Sequence, residues 1–273
     1  MLYNPSETIK NIRRKLKKYL KDNKLESIVI GISGGIDSAV VAALAYPVCR
    51  ELDIPIIGRY LEIYGNKKDE KSRAIMVGLS FCDDFKSINL NKEFRALKHI
   101  CKKEKNPFKK KVREGNIKAR IRMIYLYDLA QANGGLVMGT DNLTEELEGF
   151  WTIHGDHFDL GIIQKLWKTE VYQISEELED AYALTSTEYA LRKCREATPT
   201  DGLGITDSDL DQIKADSYEE VDMILQEYLS MDKQPQVRKI FQKKWENHPV
   251  IKRHLATGFK RNWPVVISRK DIV

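Results

Sequence analysis

The sequence predicts an α/β protein with a doubly wound parallel sheet flanked by helices, in a single domain. Short β-branched apolar runs alternate with helical patterns, as a parallel sheet requires. A glycine-rich turn joins the first of these runs to a compact, helix-forming stretch. Neither an internal repeat nor a composition break divides the 273 residues, a length that one large domain can fill.

Element by element, Ile9, Ile12, Leu16 and Leu20 recur at helical spacing among basic residues, predicting an amphipathic helix over 8–21. Ser27 to Ile32 (SIVIGI) is too short and too β-branched for a helix and reads as a buried strand. Ile36 to Ala45 is a buried helix, Ile54 to Arg59 a second strand, Lys67 to Leu79 a helix and Phe85 to Leu90 a third strand. The basic stretch 92–113 contains Pro107 and is expected to be a helix followed by an exposed loop, its charges mostly solvated. Gly115 to Ala132 carries Ile117, Ile121, Ile124, Tyr125 and Leu129 on a helical face, stopped by Asn133, Gly134 and Gly135, and Leu136 to Gly139 is a further strand. That helical face could serve as core or as a contact between subunits. Helices are expected over Lys165 to Leu178 and Ser217 to Leu229, with an irregular stretch between them from Thr185 to Gly204 and another over about 231–273.

Composition excludes whole classes. With 42% hydrophobic and 31% charged residues the chain is neither disordered nor membrane-embedded. No apolar run approaches the roughly 18 residues of a membrane helix, and the first twenty residues lack the apolar core of a secretory signal, so a cytoplasmic location is expected. Cys49, Cys82, Cys101 and Cys194 are scattered without a C-x-x-C pair, which argues for reduced thiols. The net charge of +5 suits an anionic small molecule as well as a polyanion.

The chemistry concentrates in Gly31-Ile32-Ser33-Gly34-Gly35-Ile36-Asp37-Ser38, between a strand and the N-terminus of a buried helix. Backbone N–H groups there can close on phosphate oxygens, with Ser33 and Ser38 adding hydroxyls. Asp37 would repel phosphate unless a cation intervenes, which makes it a natural Mg²⁺ ligand or else a helix-start charge. No G-x-x-x-x-G-K-[ST] and no G-x-G-x-x-G after a strand occurs, so γ-phosphate transfer and hydride chemistry lose ground.

The S-G-G-x-D-S loop resembles the pyrophosphate loop of the ATP pyrophosphatases, which cleave ATP between the α- and β-phosphates. Together with Asn116 to Met123, Gly139-Thr140-Asp141-Asn142-Leu143-Thr144-Glu145, Gly149 to Thr152, Gly155-Asp156, Leu166 to Val171 and Thr198 to Leu203, it is similar to the NAD⁺ synthetase family over most of residues 8–230. The resemblance implies a Rossmann-like fold and ATP-dependent amidation of deamido-NAD⁺ through an adenylated intermediate, giving NAD⁺, AMP and pyrophosphate.

By the same resemblance, Gly31, Ile32, Ser33, Gly34, Gly35, Ile36, Asp37, Ser38, Thr140, Lys168 and Thr200 would hold ATP. Asp37 and Lys168 would be catalytic, Asp37 and Glu145 would bind Mg²⁺, and Arg120, Asp159 and Lys260 would hold deamido-NAD⁺. Ile153 stands where the family usually carries a lysine, and the family's His-Lys-Arg tail appears as Phe259-Lys260-Arg261. The motifs begin near residue 8, so free ammonia rather than glutamine is the expected nitrogen donor, and the family implies a homodimer, with no nucleic-acid or membrane partner. Two other readings are a tRNA-modifying ATP pyrophosphatase, suggested by the basic run 102–113, and a non-catalytic dinucleotide-binding protein. Phe150-Trp151, and Trp245 with Trp263, could stack on a ring but fit core packing better.

Overall fold

In the computed structural model, which describes residues 2–200, 208–230, 234–261 and 266–269, five parallel strands pair in the order β3-β2-β1-β4-β5. They are β1 (Ser27–Gly31), β2 (Ile56–Glu62), β3 (Asp84–Asn89), β4 (Gly135–Gly139) and the short β5 (Leu160–Gly161). Ile28, Val29 and Ile30 are wholly buried, as a central strand covered on both faces must be. Ile28 and Ile30 pack with α1 (Pro5–Asp22), α2 (Ile36–Leu52), α3 (Lys68–Phe81), α7 (Lys168–Ala181) and α8 (Ser186–Arg195) in the main core. On the opposite face Val29 meets α5 (Pro107–Ala132), which with α4 (Asn91–Ile100) forms the second helical layer. The sheet is therefore doubly wound, as the alternation of patterns predicts.

A smaller apolar cluster lies beside the carboxyl ends of the strands, built from Ile213, Val221, Ile224, Leu225, Val250 and Ile251. It joins α6 (Leu143–Glu148), α9 (Asp209–Ile213), α10 (Tyr218–Leu229), α11 (Pro235–Trp245) and α12 (Pro249–Ala256), with α13 (Gly258–Arg261) following. Phe150 and Trp245 pack into this cluster, and Trp263 lies outside the described residues.

Several boundaries differ from the sequence expectation for identifiable reasons. Helix α2 continues past Ala45 through Pro47 to Leu52. A proline at that point lacks the N–H that would bond Ala43, and Arg13 of α1 supplies donors instead, Nη2 to Ala43 O at 3.3 Å and Nε to Leu44 O at 3.4 Å. Pro107 begins a helix rather than marking a loop: it is the first residue of α5, and the Asn106 side chain accepts the Lys109 N–H at 3.0 Å. The stretch from Thr185 is not irregular throughout, because Thr185 caps α8 and Ala190, Leu191 and Cys194 bury its inner face. Likewise the segment expected to be irregular over 231–273 contains α11, α12 and α13, two of them opened by Pro235 and Pro249. Among the described residues no helix is long and apolar enough to cross a membrane. All four cysteines are free thiols. Burial pushes Cys49, Cys82 and Cys194 up to about 12, so these three are inert packing groups.

Candidate active site

The strand order reverses between β1 and β4, which is where open α/β sheets leave a crevice at their carboxyl ends. A cavity of about 540 Å³ opens there, a size suited to a small organic ligand. The loop after β1 forms one wall. Gly34 has φ +83°, and a Cβ there would lie 2.2 Å from the Glu70 carbonyl oxygen of α3, so only glycine fits both the dihedral and the contact. Ser38 Oγ donates to Gly35 O at 3.0 Å and accepts from the Ser33 N–H at 3.2 Å, while Gly35 N–H donates to Ser33 Oγ at 3.2 Å. The two hydroxyls thus hold the loop in shape. Among the described residues no side chain caps α2 at Gly35, which leaves first-turn N–H groups and the positive end of a 17-residue helix facing the cavity.

The loop after β4 brings in the acids. Asn142 caps α6 by accepting the Glu145 N–H at 3.0 Å, Glu145 Oε2 accepts the Asn142 N–H at 3.3 Å, and Asn142 Nδ2 donates to Asp37 Oδ1 at 2.8 Å. Lys168, the first residue of α7, reaches Asp37 Oδ2 at 2.5 Å and Glu145 Oε1 at 3.1 Å. Its backbone N–H donates to Thr144 Oγ1 at 2.9 Å. Thr144 in turn donates to Asp222 at 2.5 Å, so α10 braces the starts of α6 and α7.

Burial works against the Lys168 charge, but the Asp37 and Glu145 carboxylates outweigh it and hold the ammonium well above the usual lysine range. Burial, then the neighbouring Asp37 carboxylate, pushes Glu145 up to about 7 despite Lys168. Two acids that sequence reading left unassigned share the cavity. Asp141 is raised well above the carboxylate range by burial and by Asp156, Glu145 and Asp37. Asp156 is raised by burial, although its Oδ2 accepts the Thr152 N–H at 2.6 Å. Their only sequence signal was membership of the Gly139–Asp141 and Gly155–Asp156 motifs.

Of the residues singled out from sequence, Gly31, Ile32, Ser33, Gly35, Ile36, Asp37, Ser38, Thr140, Glu145, Lys168, Thr200 and Lys260 line this one cavity. Gly34 faces α3 instead. The Lys260 ammonium donates to Gly149 O at 2.7 Å and Trp151 O at 2.5 Å, so it holds the loop that bears Trp151 and Thr152. Arg120 and Asp159 lie outside the cavity. Arg120 is exposed and donates to Ile153 O at 3.1 Å, while Asp159 accepts the Val137 N–H at 2.9 Å and is spent on the edge of β4. Thr198 to Thr200 reach the cavity rim, and the continuing motif residues Asp201 to Leu203 lie outside the described residues. Among the described residues, no three His, Cys, Asp or Glu side chains form a self-sufficient metal site.

The family model described as NAD synthase matches residues 8–264. An NH(3)-dependent NAD(+) synthetase of Methanococcoides burtonii is 31% identical over 255 residues, covering 93% of this chain and 91% of its own. A protein of the same name from Finegoldia magna is 31% identical over 212 residues, covering 76% and 83%. Among solved structures, an NMN synthetase from Francisella tularensis superposes with TM-score 0.77 over 98% of this chain and all of its own, at 23% identity, which speaks to the fold.

Proposed function

This chain belongs to the NAD synthase family, and we propose that its cavity carries out ATP-dependent amidation of deamido-NAD⁺ with ammonia. The products are NAD⁺, AMP and pyrophosphate. The observation that carries the reading is the convergence, in one cavity, of a preformed anion loop, the Lys168–Asp37–Glu145 cluster and the Asp141–Asp156 pair.

A carboxylate does not accept ammonia, because an oxide cannot leave. In the first step a carboxylate oxygen of deamido-NAD⁺ attacks the α-phosphorus of ATP; the bond from that phosphorus to the bridging oxygen breaks, and pyrophosphate departs with the electron pair. In the second, ammonia attacks the carbonyl carbon of the mixed anhydride, the carbon–oxygen bond to AMP breaks, and nitrogen sheds a proton. The free N–H groups at the start of α2 would hold the phosphates, and Lys168 would keep Asp37 and Glu145 in place beside them. Ammonia travels mostly as ammonium near neutral pH. A buried carboxylate with a raised pKa both attracts that cation and is basic enough to take its proton, which fits Asp156 with Asp141.

Magnesium fits the remaining pair. Asp37 and Glu145 meet on a single ammonium, and Glu145 at about 7 marks a site short of positive charge. A Mg²⁺ ion commonly takes one or two carboxylates plus substrate phosphates, so Asp37 and Glu145 would hold it without a third protein ligand. When bound, it would neutralise charge on the phosphate oxygens of ATP.

Among the residues named for ATP, we retain Gly31 to Ser38, Thr140, Lys168 and Thr200. For deamido-NAD⁺ we retain Lys260 through its grip on the Gly149–Trp151 loop. We further propose one domain over 1–273, a cytoplasmic enzyme where ATP is supplied, and a homodimer closing on the exposed apolar residues Leu97, Ile100, Phe108 and Ile124 of α4 and α5. Sedimentation of the purified protein would show a monomer if that last element is wrong.

The test is direct. Protein incubated with ATP, Mg²⁺, ammonium and deamido-NAD⁺ should yield NAD⁺ and AMP in equal amounts, and EDTA should stop both. Production of ADP, ATP cleavage only when tRNA is added, or ligand binding without turnover would each overturn the proposal. Nicotinate mononucleotide run beside deamido-NAD⁺ reads the acceptor: amidation of the mononucleotide alone would overturn the dinucleotide assignment and leave the chemistry standing.

A further inference from the structure

The departing pyrophosphate needs a cation, and the one expected from sequence is occupied. Lys168 is 3% exposed and bonded to two carboxylates. The cavity wall also presents Asp37, Glu70, Asp141, Glu145, Asp156 and Asp209, an acidic surround for a polyanion. Two of its arginines are engaged: Arg122 donates to Leu61 O and Asn66 Oδ1, both at 3.2 Å, and Arg253 donates to Glu148 O at 2.9 Å and lies over the Phe150 ring. Arg59 is committed to Asp84 at 2.6 Å and to the Gly58 and Asp84 carbonyls. Lys260 is held by the Gly149 and Trp151 carbonyls.

Arg73 is differently placed. It sits on the inner face of α3, 14% exposed in its side chain, and its Nε donates to the Gly34 carbonyl at 2.8 Å, so it touches the anion loop itself. Nη1 bonds Asp69 Oδ2 at 2.8 Å, one helical turn back. Nη2 makes no hydrogen bond to any described residue, and Arg73 shares the cavity wall with Ser33, Gly35 and Thr200. Two anchors on one guanidinium fix its plane, leaving a cationic edge pre-aimed at the loop. A fork held in this way loses little entropy when it meets a phosphate.

We propose that Arg73 binds the β- and γ-phosphates of ATP and supplies the counter-charge for pyrophosphate as it leaves. This rests on the proposed amidation, since only cleavage at the α-phosphorus releases that group. Asp69, which is 67% exposed, holds the guanidinium from behind and takes no part in binding. Glu70, beside Arg73, makes the same wall repel phosphate once the arginine is gone.

The experiment measures inorganic pyrophosphate binding by calorimetry, with steady-state kinetics, on the full chain and on Arg73→Met, Arg73→Lys and Asp69→Asn. Losing a charged hydrogen-bond partner should weaken pyrophosphate about 10- to 100-fold in R73M and raise the KM for ATP by a similar factor, with the KM for deamido-NAD⁺ unchanged. R73K should recover part of the loss, and D69N should bind within about threefold of wild type. Melting curves verify that each variant is folded. R73M binding pyrophosphate as tightly as wild type would overturn the proposal, as would D69N losing as much as R73M, because the effect would then belong to α3 rather than to the cation. A wild-type protein that makes no NAD⁺ or AMP refutes the amidation reading instead, and it is told apart because pyrophosphate binding is read without turnover.

Discussion

Replacing Lys168 with Met tests the centre of the site, because it leaves Asp37 and Glu145 facing each other with no cation between them. Breaking a buried ion pair by removing one partner costs about 3–5 kcal/mol. The two carboxylates keep 16% and 17% of their side chains exposed, so water screens them in part and the lower figure applies, about 3 kcal/mol. In a chain of this size that lowers Tm by roughly 6–12 °C. The loss should depend on pH with a definite sign. Glu145 already titrates at about 7 in the folded protein, above its ordinary 4.5, so the fold binds the extra proton and stability falls as pH rises through that window. Without Lys168 the pKa moves higher still. The defect should therefore be small at pH 6, where Glu145 carries a proton, and full at pH 8.5. Adding Glu145→Gln to Lys168→Met should restore roughly 1–2 kcal/mol by removing the like-charge contact. Scanning calorimetry at both pH values, with NAD⁺ formation in parallel, reads all of this; turnover should fall by about 10²–10³ or more. A K168M protein that melts like wild type at pH 8.5, or a double variant no more stable than the single, would refute the assignment of Lys168 as the common cation of the pair.

Three further outcomes are expected. Asp156→Asn should lower amide formation by about 10²–10⁴ while pyrophosphate release persists, because the acid acts after adenylation; rapid quench separates the two steps, and an equal loss in both would argue against a role toward ammonia. Glu148, wholly buried with neither carboxylate oxygen hydrogen-bonded among the described residues, is pushed up to about 8 by burial against the pull of Arg253 and Arg261. Glu148→Gln should match wild type near pH 5 and exceed it by roughly 1–3 kcal/mol at pH 9, because wild type loses stability as pH rises through the raised pKa; thermal melts at the two pH values decide it. Gly34→Ala places a Cβ 2.2 Å from the Glu70 carbonyl at φ +83°, so it should destabilise the protein by more than about 1 kcal/mol and abolish ATP binding, as nucleotide titration would reveal.

Much of the architecture was legible because it depends on local pattern. Strand β1 could be read from SIVIG, since burial on both faces demands a continuous apolar run, and α2 from the glycine turn before it. Reading failed where a distant residue compensates for a local penalty. Pro47 argues against a helix until Arg13 supplies donors from α1. Helices α11 and α12 depend on the small cluster around Ile224 and Val250, which no window of sequence displays. In the site, the loop, Asp37, Glu145 and Lys168 were readable from motif order. Arg120 and Asp159 lie outside that cavity, a placement that spacing in sequence does not state because it does not fix which way a side chain turns.

The amino-acid order alone determined a glycine-rich loop at a strand-to-helix junction, whose open N–H groups suit an anion wherever the helix lies. Only the tertiary structure decided what surrounds that loop. Electrostatic interaction falls with distance and grows with burial, and both are properties of packing: Asp156, 15 positions from Asp141 in the sequence, helps to raise the Asp141 carboxyl because the fold buries both at one cavity. Arg73 touches Gly34 from 39 residues away because α3 packs against the loop.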